Sequence, residues 1–517
     1  MKTPKEIISK VNLILGKSGK IAFLSAFVIG LLTHMSMLVS DIPNHDGLAS
    51  MYFDQNMITS GRWFLGISCG ISSFYLLPWL SGLLSIIYLS VTCILLVKLL
   101  KIENPVFIVL ASGMLVTFPT IASNFAYVFT MDGYMVGLML AVLAVLLVET
   151  GKLGFLFGAV ALAFSMGIYQ SYLPVAILLS LYKAVMVCFE SETVKNKSKK
   201  ILNYLYMGAI GVALYYVILR VLLVIQGKEL DTYQGINGMA SGGLNILASV
   251  KAMYSDFVAF TLKGNIIFAN GFALAAVLIL AIAVLAALAW RVLRGKLYKS
   301  WAFYIIGLAV VILVPIFTNV ILVISPDVTY HILMRYQWTL FGVMAIAFIE
   351  DTIGKADSNG SKLMISIEWA AVLAAFVIVF SYSITDNIAY SNLEKKYEKT
   401  YSYCLRLADR IETTEGYYEG IPIYMIGVVG DDNYPSTDIT GEVTGHMLGI
   451  PGDYLLYTSE NYEQFYKYYM GITFNFLAPS EANYYDSPEY VEMPSFPGQG
   501  STKVVDGVMY VKTENMH

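Results

Sequence analysis

Apolar runs of bilayer length alternate with short polar connectors along most of this chain. A bilayer core takes roughly 20 apolar residues per helix. Runs near that length stand at approximately residues 21–40, 79–100, 106–122, 133–149, 153–169, 171–189, 201–225, 268–290, 301–324, 337–353 and 364–385. The pattern predicts an α-helical polytopic membrane protein with about eleven transmembrane helices. Two further stretches carry helical spacing without that length. Leu48, Met51, Tyr52 and Ile58 fall within 47–60, and Leu247, Val250, Tyr254, Phe257 and Val258 within 245–262. Both predict helices lying in the interface plane. The stretch from Trp63 to Pro78 is apolar but rich in Gly and Ser, and reads either as a re-entrant piece or as a short crossing. After Tyr390 the character changes. A charged helical pattern (Leu393, Tyr397, Tyr401, Leu405, Ile411) leads into the strand candidates Ile421–Val429 and Val508–Val511, separated by turn-rich, Tyr-rich sequence. The expected division is a membrane domain over 1–386 and a small extracytoplasmic α/β domain over 387–517.

Composition agrees with the pattern: 57% of the residues are apolar, 14% are charged and the mean hydropathy is +0.65, which excludes an ordinary soluble globule. The net charge of -4 offers nucleic acid no basic footprint. The cations are segregated. Lys17, Lys20, Lys98, Lys101, Lys152, the run Lys195 to Lys200, Arg291, Arg294, Lys296, Lys299, Lys355 and Lys362 all fall in alternate connectors. Because cytoplasmic connectors carry the Lys/Arg excess, the N-terminus is expected in the cytoplasm of a bacterial cell. Segments 41–78, 123–132, 226–267, 325–336 and everything after about 386 are then extracytoplasmic. The first run follows Lys2, Lys5 and Lys10 without a small-x-small cleavage site, so it reads as a retained anchor. Cys69, Cys93, Cys188 and Cys404 lack the spacing of a zinc site or a disulfide framework.

Polar groups at membrane depth are costly and point to function, and five clusters of them fall on the extracytoplasmic side. They are Asp41-Ile-Pro-Asn44-His45-Asp46-Gly47, continuing through Asp54 and Gln55 to Gly61-Arg62-Trp63; Asn124 through Tyr127, Thr130 and Asp132 to Tyr134; Gly167-Ile-Tyr169-Gln170-Ser-Tyr172; Asp231-Thr-Tyr233-Gln234-Gly; and Asp327 with Tyr330, His331, Arg335 and Tyr336. Acids, amides and aromatic rings suit a sugar, whose hydroxyls need paired donors and acceptors and whose apolar faces stack on rings. Asp41, Tyr127, Tyr169, Gln170, Tyr233 and Gln234 are the candidates for sugar or acceptor contact. Arginine suits a phosphate, which makes Arg62 and Arg335, with His331 beside the latter, the candidates for a donor phosphate. A carboxylate must take the proton from an acceptor hydroxyl, and Asp46 and Asp132 are placed to do so. Each residue also has a structural reading. The two acids can be helix N-caps, Arg62-Trp63 an interface anchor, His331 and Arg335 snorkelling side chains, and Tyr169-Gln170 plain turn residues; the Tyr-rich tail reads as scaffold.

These motifs resemble the type II glucosyl transferases first associated with bacteriophage-driven O-antigen modification, and more broadly the polytopic bacterial transferases that use polyprenyl-phosphate sugars. The resemblance rests on Asn44-His45-Asp46-Gly47 leading to Ser60-Gly61-Arg62-Trp63, on Phe129 to Tyr134, on Gly167 to Tyr172 and on Tyr233-Gln234-Gly235, and covers roughly residues 20–430. It implies the type C glycosyltransferase fold and an inverting displacement of glucose from undecaprenyl phosphate onto a surface glycan. By the same resemblance Asp46 is the base or acceptor-orienting acid, Arg62 holds the donor phosphate, and Asp132, Tyr169 and Gln170 line the sugar pocket. His331 and Arg335 are not carried by it. No GxGxxG or Walker loop is present, in keeping with a lipid-linked donor. No cofactor is indicated, and a divalent cation is left open. The alternatives are a flippase for lipid-linked glycan, which would show internal repeats and midplane polar sites, and a polysaccharide polymerase or ligase sharing the same donor.

Overall fold

Every long apolar run becomes helix. In the computed structural model, which describes residues 3–44, 46–49, 57–190, 192–231, 246–264, 266–325, 328–355, 361–426, 455–456, 458–477 and 488–513, the order begins α1 (Pro4–Val39), α2 (Leu65–Cys69), α3 (Pro78–Leu100), α4 (Pro105–Val116) and α5 (Thr120–Phe125). It continues with α6 (Met131–Val148), α7 (Gly154–Ile168), α8 (Leu173–Cys188), α9 (Val194–Gln226) and α10 (Ile246–Lys263). Then come α11 (Gly271–Arg294), α12 (Trp301–Thr318), α13 (Ile321–Ile324), α14 (Thr339–Ile353) and α15 (Ser361–Glu412). The ends carry the expected signals. Asn104 caps α4 by accepting the Val106 N–H ahead of a proline, and Asn270 caps α11 through Ala273.

Among the described residues eight of the eleven expected runs form helices long and apolar enough, by length and composition, to cross a membrane. The other three runs are helical but short: α4 has 12 residues, α7 15 and α14 15. At 1.5 Å per residue they reach only about 18–23 Å, against a hydrocarbon core of about 30 Å. Each stops for a local reason. Pro119 follows α4, Tyr169 turns extended (φ -156°, ψ 118°) after α7, and the 3-10 turns Ile332–Met334 and Tyr336–Trp338 precede α14. Irregular backbone at membrane depth is tolerated only when buried in protein or lining a cavity. Here it is buried: Thr120 Oγ1 donates to the Ile332 carbonyl at 2.8 Å, joining two of the broken ends.

Three smaller expectations resolve. Within 63–78 there is no crossing, only the five-residue α2 and a 3-10 turn at Gly70–Ser72, as a re-entrant piece would have. The helix expected over 47–60 is replaced, where described, by 3-10 turns at Gly47–Ala49 and Ile58–Ser60, and residues 50–56 lie outside the described residues. The stretch 245–262 is helical as α10.

The two ends of the bundle differ in chemistry. At the lysine-bearing end the Glu350 carboxylate accepts the backbone N–H groups of Glu103 and Asn104, both at 2.7 Å, while Arg291 pairs with Asp351 and Lys183 with Glu149 at 2.8 Å each. The opposite end carries the candidate residues. Only 22% of the α9 span and 11% of the α12 span is buried although both are strongly apolar, so their outer faces meet hydrocarbon. Buried His34 ties α1 to α4 and α15 through the Val116 carbonyl (2.8 Å) and the Tyr390 hydroxyl (2.6 Å).

α15 runs without a break for 52 residues, from the last apolar run into a small C-terminal sheet region. There β1 (Pro422–Ile426), β2 (Asn475–Phe476), β3 (Thr502–Val505) and β4 (Val508–Lys512) form a sheet of order β2-β1-β4-β3. β1 is parallel to both its neighbours, and β3–β4 is a hairpin closed by Asp506-Gly507, both with positive φ, as a tight two-residue turn requires. Beside the sheet, α16 (Ser459–Phe465) packs against the Gly47–Ala49 turn. Residues 427–429 of the first strand candidate lie outside the described residues.

Candidate active site

Three sequence motifs meet as one physical unit at the end of the bundle away from the lysines. The strand-like bridge between Met57 and Arg62 turns through Gly61, which has φ +77°. Gln170 Nε2 donates to the Ser60 carbonyl (3.0 Å) and to the Tyr215 hydroxyl (2.9 Å), and that hydroxyl donates to the Gly61 carbonyl (3.2 Å). A side chain at residue 61 would fall on both Gln170 and Tyr215, so only glycine fits. Three residues on, the Phe64 N–H donates to the Gly167 carbonyl at 2.7 Å, and Trp63 lies where any Gly167 side chain would stand. The Gly-Arg-Trp motif and the end of α7 therefore hold each other in place. The Asn44–Gly47 segment joins from the other side, with Gly47 against Phe129 of the third motif.

The clamp aims Arg62. Its Nη1 donates to the Tyr134 hydroxyl at 3.2 Å, and its guanidinium lies 4.9 Å from the centre of the Tyr169 ring, which stacks on Tyr134 at 4.7 Å. Cation and stacked rings together form a preorganised platform of a kind that could meet an anion and the apolar face of a sugar. The Tyr134 hydroxyl lies in the fields of both Arg62 and Asp46, and Tyr169 in those of Arg62 and Tyr127. Asp46 is exposed at the rim, its backbone N–H held by Asn44 Oδ1 at 2.9 Å. On its other side Arg62 lines an apolar groove of about 690 Å³ with Trp63, Phe64, Phe164, Ile218 and Leu222. Ile67 on that groove is 65% exposed, so the groove is open to its surroundings along an apolar edge.

The remaining candidates are placed apart from this platform or engaged otherwise. Asp132 is buried under α2, against Cys69 and Ser72, and its Oδ1 accepts the Gly133 N–H at 2.9 Å. Gln170 is spent on the Ser60 turn rather than pointed into open space. Arg335 forms a bidentate pair with Asp256 of α10 (2.7 Å each) and lies 3.8 Å from the Tyr330 ring centre, while half-buried His331 opens the Ile332–Met334 turn. A second apolar cavity, of about 490 Å³, lies beside this pair, lined by Phe257, Thr261, Trp338 and Tyr382. Asp41 is exposed near Tyr397 and Tyr469. His45, Asp54, Gln55, Tyr233, Gln234 and Asp327 lie outside the described residues. Among the described residues no three His, Cys, Asp or Glu side chains gather as a metal site.

Sequence reasoning named Tyr134 within a motif but gave it no role, and it missed Tyr215 altogether. Tyr134 carried a signal, standing two residues from an acid at the head of an apolar run. Tyr215 carried none, being one of several tyrosines in α9.

A family model described as glucosyl transferase GtrII matches residues 35–350, a span that contains all three motif segments. No curated protein and no solved structure matches the chain.

Proposed function

Since the chain belongs to the glucosyl transferase GtrII family and is a membrane protein by its helices, we propose that it moves glucose from a polyprenyl-phosphate carrier to a cell-surface glycan at the Arg62 platform, on the extracytoplasmic face. The observation that carries this reading is the position of Arg62 between two compartments, an aromatic platform suited to a sugar and a membrane-open apolar groove suited to an isoprenoid. A phosphate sits between sugar and lipid in such a donor, and the guanidinium stands at the corresponding boundary. Each buried methylene of the lipid contributes about 0.8 kcal/mol, so the groove supports binding while the platform orients the sugar.

In the proposed step an acceptor hydroxyl oxygen attacks the anomeric carbon from the face opposite the phosphate, and the carbon–oxygen bond to phosphate breaks. Polyprenyl phosphate leaves with the electron pair, its added charge offset by Arg62. Asp46 takes the hydroxyl proton and passes it to water, a role that its exposed rim position supports. Stacked Tyr134 and Tyr169 hold the guanidinium and cover an apolar sugar face.

The test is transfer of label from polyprenyl-phosphate glucose to envelope glycan by membranes holding wild-type or Asp46→Asn protein at equal levels. Transfer by the wild type and a loss of at least about 100-fold in the variant support the assignment. Undiminished transfer by Asp46→Asn removes the base, and absence of transfer from any lipid-linked sugar removes the reaction.

A further inference from the structure

We propose that the extramembrane stretch of α15 binds the acceptor glycan, in a groove formed by Tyr397, Glu398, Tyr401, Ser402 and Leu405, an assignment that rests on the glycosyl-transfer reading above. The groove has a volume of about 460 Å³. Tyr397, Tyr401 and Leu405 recur four residues apart and form one stripe along the helix. Tyr401 is 37% exposed and Leu405 53%. The apolar run ends near residue 385, so at 1.5 Å per residue the stripe stands roughly 18–30 Å beyond it along the helix, too far for a hydrocarbon tail.

The chemistry of the groove is that of a sugar site. Rings supply stacking faces, while Glu398 and Ser402 supply an acceptor and a donor for hydroxyls. Behind the stripe the rings are held firmly. Phe465 and Tyr469 stack at 5.3 Å, Tyr397 meets them edge-on at 6.1 and 6.2 Å, and Tyr401 meets Phe465 at 6.4 Å. Two further polar groups lie next to the stripe. The Tyr469 hydroxyl is buried without a hydrogen-bond partner among the described residues, and Asp41 acts electrostatically on both Tyr397 and Tyr469. Asp41 is itself exposed, so its carboxylate can accept from a sugar hydroxyl beside the stripe.

Position links the groove to the chemistry. α16, which carries Phe465, packs on the Gly47–Ala49 turn next to Asp46. A glycan lying along α15 would thus be led past Asp41 toward the proposed base. The groove also lies outside residues 35–350, the part matched to the family, so it would set the acceptor of this chain rather than a property shared by all members.

The experiment uses the full chain in lipid nanodiscs and two readouts. Reducing-end-labelled oligosaccharides, released from the host envelope by mild acid, are tested first for equilibrium binding and then as acceptors beside a simple monosaccharide glycoside. Tyr401→Ala should weaken oligosaccharide binding and raise its KM by at least tenfold, leave the KM for the lipid donor and transfer to the monosaccharide unchanged, and be rescued by Tyr401→Trp. Binding and KM unaltered in both Tyr401→Ala and Glu398→Gln would overturn the subsite. Oligosaccharide binding that depends on Tyr401 without any sugar transfer would keep the subsite and overturn the transferase reading instead.

Discussion

A single glycine decides how Arg62 is aimed. Gly61 combines a left-handed backbone with two close neighbours, Gln170 Nε2 and the Tyr215 hydroxyl, both of which bond to the turn. Gly61→Ala adds strain at positive φ and displaces both bonds, a cost of roughly 2–3 kcal/mol. Thermal unfolding in detergent should shift down accordingly, and transfer should fall by about tenfold or more, because small misplacements of a positioning group are amplified in rate. A variant with the wild-type midpoint and rate would show that the turn does not set the guanidinium. Arg62 and Tyr169 were legible in the sequence because a cation and an aromatic-amide turn stand out beside apolar runs. Gln170 was legible as important but not in its role, since nothing in a sequence distinguishes an amide that meets a sugar from one that meets the carbonyl of Ser60. Tyr215 was illegible because its partners lie 45 and 154 residues away.

Helix ends, rather than helix interiors, carry the functional geometry. Periodicity located all eleven apolar runs, yet it could not show that three of them stop short, because Pro119, the extended Tyr169 and the paired 3-10 turns before α14 act over one or two residues. One such irregular segment, which carries Arg335, is pinned to α10 by the Arg335–Asp256 pair. The side chains are 8% and 25% exposed, and the guanidinium also lies over Phe260 and Tyr330. Asp256→Asn leaves that guanidinium without its counter-charge in a partly buried site, a loss of roughly 1–3 kcal/mol once solvent screening is allowed for. The expected outcome is a lower unfolding midpoint with an unchanged KM for the lipid donor at permissive temperature. A raised donor KM at an unchanged midpoint would instead return Arg335 to the phosphate site, where its residue type alone had put it.

At the scale of the whole molecule, the proposed function depends on orientation. The connectors with Lys17 and Lys20, Lys98 and Lys101, Lys152, Lys195 to Lys200, Arg291 to Lys299, and Lys355 and Lys362 lie at the end opposite Arg62, although the 226–267 segment on the Arg62 side also carries Lys228, Lys251 and Lys263. α15 leads into the C-terminal sheet region from the Arg62 end. By the positive-inside bias the lysine end is expected to face the cytoplasm, and a surface glycan can be reached only if that assignment is correct. Of the four native cysteines, Cys69, Cys93 and Cys404 are buried and Cys188 is half-buried, so a cysteine-free background is a small change. In that background a cysteine at exposed Glu415 should react with a membrane-impermeant maleimide in intact cells. One at exposed Lys152 or Lys296 should react only after the membrane is opened. The reverse pattern would put Asp46, Arg62 and the α15 groove in the cytoplasm, where nucleotide sugars are at hand and an extracytoplasmic glycan is not. Both the lipid-linked donor and the acceptor would then fall together, while the Arg62 clamp and the family would stand.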